Sequence, residues 1–266
     1  MNATDLEAYQ THWHPEEISE EVPGTPDTFF AFYAWDRLVR ISASAGAPGR
    51  VLDVACGDAR DIRAMAESGW VGVGFDSSSL QLLDAKRAAQ EAGQRIHLVR
   101  GVAEFLPFKP GTFNSLICKS ALDHFVKRDG AMREFQRILD PQGRAVVSAN
   151  NYGGATVRAS RLLYRIVRLV WPPARKAHFL WDSPVPLQHT YECTFDNTRA
   201  LGAPCFDEIE RYGVSLLWGF PGWSRFISLV PQGVRHLILR ALNRVAGRIP
   251  RHADVMVFVW RPKSES

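Results

Sequence analysis

The stretch VLDVACGDA, residues 51–59, decides the fold of this chain. A short run dominated by Val and Leu enters a turn of small residues, and a helical pattern starts at Arg60. A buried strand followed by a tight turn and a helix lets a ligand approach the backbone closely, and the helix start offers unpaired N–H groups. The stretch therefore predicts the first strand, turn and helix of a nucleotide-binding sheet, with Gly57 at the closest approach.

Outward from this turn, short apolar runs alternate with helical patterns as far as residue 150. The predicted strands are 51–54, 71–75, 96–99, 115–118 and 144–149, and the predicted helices between them are 60–68, 79–92 and 130–139. Such alternation predicts an α/β fold in which helices cover both faces of a mostly parallel sheet. Two later strands are predicted at 208–217 and 253–260, and the second is apolar enough to be buried.

The chain divides into four predicted parts. Residues 1–49 are an N-terminal helical lid, rich in aromatic residues, with a helix from Asp27 or Thr28 to Val39. Residues 50–150 are the cofactor-binding core, and residues 151–205 are a helical cap insertion. Residues 206–266 hold the final strands together with a second basic helical insertion at 225–251.

Composition and charge exclude several classes of protein. The four cysteines are scattered, which fits neither a zinc site nor a disulfide framework, so we expect a cytoplasmic protein without a metal. We expect no signal peptide, and no apolar run reaches the ~20 residues of a membrane-spanning helix. Net charge is −5 in residues 1–50 and +9 in residues 141–266, so the basic excess lies outside the predicted cofactor site.

The details of the turn discriminate between cofactors. A pyrophosphate-binding turn reads G-x-G-x-x-G, whereas the matching positions here are Ala55, Gly57 and Ala59. Asp58 and Asp61 at the helix start would repel a pyrophosphate and favour a cationic amino-acid group. Asp76, at the end of the second predicted strand, is placed to accept both hydroxyls of a ribose.

Four stretches in this order resemble the class I S-adenosylmethionine-dependent methyltransferases, in the small-molecule group that includes quinone-biosynthesis enzymes. They are residues 51–59, GVAEFLPF at 101–108, TFNSLICKSALDH at 112–124 and FQRILDPQG at 135–143. The resemblance implies a Rossmann-like doubly wound sheet with an antiparallel last strand, and S-adenosylmethionine as the cofactor. It covers residues 50–150, with a weaker continuation to the last two strands.

The resemblance also implies roles for individual positions. Asp53 organises the turn and the methionine amino group, and Gly57 lies against the cofactor. The ribose side consists of Asp76 and Ser77, and the Lys119 backbone meets the methionine part. The remaining implied cofactor-binding residues are Ala55, Asp58, Val102, Ala103 and Glu104. Relatives often have an acidic residue where Val102 stands, so the adenine contact is either lost here or passes to Glu104 or to a backbone carbonyl. A second departure is Asn114, where relatives often have an aspartate, and this position is interpreted as structural.

These roles have structural alternatives. Asp53 is also a residue type that caps a loop, Asp76 one that lies in a surface turn, and Glu104 one that begins a helix as a solvated charge. Cys56 is interpreted as a small packing residue rather than a nucleophile.

Methyl transfer from a sulfonium is an in-line displacement that depends chiefly on alignment, and a general base is needed only if the acceptor loses a proton. The candidates for a base are His124, after the fourth strand, and His189 and Tyr191, just before a helix of the cap. For each of them, the residue type and position also fit a structural packing role.

Two basic amphipathic stretches indicate the partners. Arginines recur every three or four residues in 158–168 and 235–248 among apolar residues. These patterns fit either contact with a membrane surface or helices packed on the core with arginines in water. We expect a hydrophobic small-molecule acceptor that is lipid-, glycoside- or quinone-like, and no nucleic acid, because no recognition module is present.

Two other functions stay open at this point. One is a partner subunit that binds S-adenosylmethionine without catalysis. The other is a nicotinamide-dependent oxidoreductase, which Asp58 and Ala59 disfavour.

Overall fold

The computed structural model describes residues 25–171 and 191–264. Its helices are α1 (Pro26–Ala43), α2 (Arg60–Ala66), α3 (Ser79–Glu91), α4 (Arg128–Ile138), α5 (Ala155–Val170), α6 (Phe195–Gly202), α7 (Trp223–Leu229) and α8 (Gln232–Arg248). The strands are β1 (Arg50–Val54), β2 (Val71–Asp76), β3 (His97–Arg100), β4 (Phe113–Lys119), β5 (Leu139–Asn150), β6 (Phe206–Val214) and β7 (Val255–Pro262). A 3-10 turn, Leu122–His124, follows β4.

The strands form one seven-stranded sheet in the order β3-β2-β1-β4-β5-β7-β6. The pairs from β3 to β5 are parallel, and β7 runs antiparallel to both β5 and β6. The prediction of a doubly wound, mostly parallel sheet with an antiparallel last strand is confirmed. The order reverses between β1 and β4, and this switch point is where open α/β sheets bind their ligands.

Alternate side chains of the central strands enter two separate cores, one on each face of the sheet. Leu52 and Cys118 belong to the core that α4 and α6 cover, whereas Val51 and Ile117 face α1 and α2. Both faces of β1 and β4 are therefore apolar, which is why their sequences read as continuous hydrophobic runs rather than alternating ones. Asp53 and Lys119 lie on the α1–α2 side by the same alternation.

Several boundaries differ from the sequence prediction. Residues 140–143, predicted as a turn before the fifth strand, lie inside β5, where the register shifts between Phe113 and Ser115 and the Gln142 N–H donates to Asp140 Oδ1 at 2.8 Å. The basic stretch 225–251 contains two helices, because Pro231 separates α7 from α8. Strand β6 begins two residues earlier and ends three earlier than predicted.

The described part of the predicted N-terminal lid is α1, which packs across one face of the sheet. Trp35, Val39 and Ala43 are buried there, and Trp35 Nε1 donates to Ser148 Oγ of β5 at 2.8 Å. Because α1 is part of the α1–α2 core, its polar residues are held in fixed positions beside β4. The rest of the predicted lid, residues 1–24, and residues 172–190 of the predicted cap lie outside the described residues.

None of the helices in residues 25–171 and 191–264 is both long and apolar enough to cross a bilayer. The same part of the chain contains no group of three or more His, Cys, Asp or Glu side chains arranged to hold a metal ion.

Candidate functional site

The candidate site lies where the carboxyl ends of β2, β1 and β4 meet. Val54 of β1 pairs with Phe75 of β2 on one side and with Cys118 of β4 on the other. Consequently Asp76, the turn after β1 and Lys119 lie side by side at one edge of the sheet. A ligand bound along this edge would extend from the end of β2, past the end of β1, to the end of β4.

The turn after β1 has an unusual backbone. Ala55, Gly57 and Ala59 all have positive φ angles of 54–56°. An alanine in the left-handed region costs about 1–2 kcal/mol, so surrounding contacts must hold this conformation. Two hydrogen bonds do so, since the Cys56 N–H donates to the Phe75 carbonyl at 3.2 Å and the Ala59 N–H donates to the Cys56 carbonyl at 2.8 Å.

Asp76 connects this turn to the loop after β2. Its Oδ2 accepts from the Gly57 N–H at 3.0 Å, and its Oδ1 accepts from the Ser78 N–H at 2.8 Å. Burial raises the pKa of Asp76, although backbone N–H groups of Ser78, Gly57 and Ser77 act in the opposite direction. Each carboxylate oxygen keeps a second lone pair, so Asp76 can also accept hydroxyl groups of a ligand.

Lys119 places its ammonium between two carboxylates from different helices. Its Nζ donates to Asp36 Oδ1 of α1 at 2.9 Å and to Asp61 Oδ2 of α2. Burial lowers the pKa of Lys119, but Asp61 and Asp36 outweigh burial, so the pKa is raised and the side chain stays charged. The resemblance had implicated only the backbone of Lys119; the structure adds its side chain.

Asp53 lies behind this ion pair and is only 4% exposed. Burial raises its pKa well above the usual range for a carboxyl, Asp61 adds to that rise, and Lys119 opposes it. Asp61 Oδ1 is also buried and accepts no hydrogen bond from the described residues, although Arg40 Nε lies 3.9 Å from it. This end of the edge is therefore rich in buried carboxylate and can receive a cationic group.

On the far side of β2, Val102, Ala103 and Glu104 are all buried. The Gly101 N–H donates to the Asp76 carbonyl at 3.0 Å, so this loop is attached to the end of β2. Glu104 Oε1 accepts from the Lys127 N–H at 3.0 Å, which directs its carboxylate to the start of α4. A contact of Glu104 with adenine stays a prediction, and its visible role is to cap that helix.

A second group of polar residues lies beyond β4, on the loops after β4 and β5 and on residues 191–193. His124 Nε2 is 3.9 Å from Asp123 Oδ1, and the Arg128 guanidinium carbon is 4.1 Å from the centroid of the Tyr191 ring. The Tyr152 N–H donates to the Cys193 carbonyl at 2.9 Å, which joins the loops. We call these residues, Asp123, His124, Tyr152, Tyr191 and Glu192, the acceptor-side group.

The acceptor-side group is partly desolvated. Burial raises the pKa of Tyr152, and the nearby charges of Asp123 and Glu192 act in the same direction. Burial likewise raises the pKa of Tyr191 and raises that of the Cys193 thiol to about 12. Both tyrosines and Cys193 are therefore neutral at physiological pH. His189, the third predicted catalytic residue, lies outside the described residues.

Sequence reasoning missed three side chains of this edge. Asp36 is 83 positions from Lys119 along the chain, and no local pattern connects them. Tyr152 lies two residues beyond the end of the predicted core. Glu192 lies in the cap, where it forms a 2.6 Å ion pair with Arg161. The positions predicted as cofactor-binding occupy one continuous edge, from Glu104 to Lys119, and their individual roles stay predictions.

Comparison with known proteins finds a methyltransferase domain in this chain. Residues 51–143 match the family model described as a methyltransferase domain. The demethylmenaquinone methyltransferase of Thermus thermophilus is 32% identical over 123 residues, which are 45% of this chain and 56% of that protein. The chain spans about half the length of the curated relatives that it matches.

Solved structures share the fold over most of the chain. The PH0226 protein of Pyrococcus horikoshii has a TM-score of 0.59 at 15% identity, covering 93% of this chain and 99% of that one. A geranyl diphosphate methyltransferase, solved with geranyl diphosphate and sinefungin, has a TM-score of 0.55 at 17% identity, covering 86% and 78%. The domain match and the sheet order together support a class I S-adenosylmethionine-dependent methyltransferase domain in this chain.

Proposed function

We propose that this chain transfers a methyl group from S-adenosylmethionine to a hydrophobic small molecule. One observation carries the proposal: Asp76, the turn at residues 55–59, and the Lys119 cluster occupy one continuous edge at the switch point of the sheet. The edge is polar at both ends, as a nucleoside joined to an amino acid requires.

The residues present fit the cofactor. Asp76, already held by two backbone N–H groups, takes the ribose hydroxyls, and buried Asp53 and Asp61 take the ammonium of the methionine part. Lys119 takes the carboxylate of the methionine part, since its ammonium lies between two carboxylates of the cluster and forms shorter contacts with it than Arg40 does. When bound, the cofactor supplies a methyl group on a sulfonium, which is already activated for displacement.

The acceptor-side group borders the same edge on the β4–β5 side, where an acceptor must lie if it is to reach the methyl group. Neutral tyrosines and the buried Phe125 favour a molecule with apolar character. The quinone named by the Thermus thermophilus relative and the geranyl chain named by the structural neighbour are of this kind. We infer an acceptor that is lipid- or quinone-like.

Catalysis in this proposal rests on alignment, with a base only where the acceptor loses a proton. His124 is the described residue best suited to that role, because it is partly exposed and buried Asp123 lies 3.9 Å from its Nε2. Tyr191 is the second candidate residue on this side, where its neutral hydroxyl can orient the acceptor by a hydrogen bond. We place the enzyme in the cytoplasm, since all four cysteines are free and buried.

Calorimetric titration of the full chain with S-adenosylhomocysteine and with NAD tests the cofactor part of the proposal. We expect binding of the first ligand only; binding of NAD alone would indicate an oxidoreductase instead. Transfer of a labelled methyl group to demethylquinones and prenyl compounds then tests catalysis. Binding without transfer to any acceptor in a lipid extract would indicate a partner subunit.

A further inference from the structure

The segment between β6 and the end of α8 has an extreme charge pattern. Residues 211–253 contain seven arginines and no acidic residue. The segment leaves the sheet at Val214 and returns at Val255, and both residues lie at the carboxyl end of β5, beside Asn150. This basic insertion therefore projects from the same edge of the sheet as the candidate site.

The insertion exposes large apolar side chains around the junction of its two helices. Leu229 of α7 is 84% exposed and Leu237 of α8 is 69% exposed, and Phe226 and Val234 are exposed beside them in sequence. These four side chains fall within residues 226–237, whereas exposed apolar residues of monomeric soluble proteins are usually scattered singly. We call this set of residues, with the exposed Arg225, Arg240, Arg244 and Arg248, the insertion surface.

The exposure does not come from loose packing of the insertion. Ile227, Leu239 and Ala246 are buried and fix both helices to the protein. The Ser215 N–H donates to Asn243 Oδ1 at 3.0 Å, and Ser224 Oγ donates to Asp27 Oδ2 of α1 at 2.8 Å. The apolar residues are thus presented to solvent by anchored helices.

The arginines of the insertion surface differ from those of the other basic helix. In α5, Arg161 pairs with Glu192 and Arg158 hydrogen-bonds His252. Arg225, Arg240, Arg244 and Arg248 form no ion pair within residues 25–171 and 191–264. No described carboxylate therefore neutralises these four charges.

We propose that the insertion surface binds the surface of a bilayer that contains anionic phospholipid. Exposed apolar side chains flanked by exposed arginines suit the boundary between headgroups and acyl chains, because the apolar side chains enter the acyl region and the arginines contact the phosphates. A second copy of this chain fits worse, since a two-fold contact would set the same arginines against each other. This inference does not depend on methyl transfer, but it places the site edge near a lipid-soluble acceptor.

Vesicle flotation with the full chain tests the proposal. We expect the protein to float with vesicles of phosphatidylcholine and phosphatidylglycerol at 0.1 M salt, and to bind pure phosphatidylcholine about tenfold or more weakly. Leu237→Ser and the pair Arg240→Glu with Arg244→Glu should each weaken binding to the mixed vesicles by roughly tenfold.

The exposed face of α3 provides matched controls. Leu83→Ser and the pair Lys86→Glu with Arg87→Glu change one leucine and two basic residues on another exposed helix, and they should leave flotation unchanged. Circular dichroism checks that every variant is folded.

Equal binding by insertion and control variants, or no binding to the mixed vesicles, would overturn the proposal. A dimer that Leu237→Ser dissociates, in a protein that does not float, would assign this surface to a second copy instead. S-adenosylhomocysteine binding, measured separately, shows whether the proposed function holds whatever the flotation result.

Discussion

The two ends of the cofactor edge are built differently. At the β2 end, Asp76 is fixed by backbone N–H groups of Gly57 and Ser78, so its geometry is set before any ligand arrives. At the β4 end, Lys119 is held by the carboxylates of Asp36 and Asp61. A ligand's carboxylate can replace them as partners of Lys119, and its ammonium can replace Lys119 as a partner of Asp61. In the proposed binding mode, the ribose end is preformed by the main chain, whereas the methionine end is a set of ionic contacts that ligand binding exchanges.

The largest effect is expected at the preformed end. Asp76→Ala should lower the affinity for S-adenosylhomocysteine by ~100-fold or more, because charged hydrogen bonds contribute about 1.5–3 kcal/mol each. The affinity of the same variant for methylthioadenosine, which has the ribose but no amino acid, should fall by a similar factor. Calorimetry with both ligands measures this, with the exposed Asp84→Ala of α3 as control; a loss for one ligand only would place the ribose elsewhere.

At the ionic end, cofactor affinity should depend on pH through Asp53. Burial raises the pKa of Asp53, so lowering the pH protonates it earlier than an ordinary carboxyl and removes the negative charge that attracts the ammonium. Below that raised pKa the affinity should fall by up to about tenfold per pH unit. In Asp53→Asn the affinity should be lower at pH 8 and should vary less with pH. Parallel pH profiles for the two proteins would show that Asp53 does not face the ammonium.

Asp36→Asn should have a smaller effect of opposite sign. Asp36 competes with the ligand carboxylate for Lys119, so its removal should raise the affinity for S-adenosylhomocysteine by roughly two- to fivefold. The free energy of unfolding should fall by about 1 kcal/mol, since one partly buried ion pair is lost. Titration and urea unfolding measure the two changes, and weaker binding would mean that Asp36 itself contacts the ligand.

The smallest effect is expected at the adenine side. Glu104→Gln keeps an oxygen to accept from the Lys127 N–H, so the affinity should change less than about threefold. A loss of tenfold or more in the same titration would instead support direct contact of this carboxylate with adenine.

The difference between the two ends also explains what the sequence could predict. The turn at 51–59 and Asp76 are local features at fixed spacing, and the strand-helix alternation determines which strand ends are neighbours. The ionic end depends on Asp36, which reaches the edge through the packing of α1. The acceptor-side group depends on Tyr152, which is positioned by the path of the chain after β5. Such contacts follow from tertiary packing, which single-sequence periodicity does not encode. The break between α7 and α8 could be predicted from the residue type of Pro231, but the exposure of Leu229 could not.

The most direct test of the account compares S-adenosylhomocysteine with its decarboxylated form, which keeps the ammonium, on the unmodified protein and on Lys119→Met. The unmodified protein should bind the complete ligand about tenfold or more tightly, because Lys119 pairs with its carboxylate. Lys119→Met should lose or reverse that preference while binding the decarboxylated ligand at least as well. The combined variant Lys119→Met with Asp36→Asn controls for the carboxylate left unpaired. An unchanged preference in Lys119→Met would contradict the assignment of the methionine end to β4.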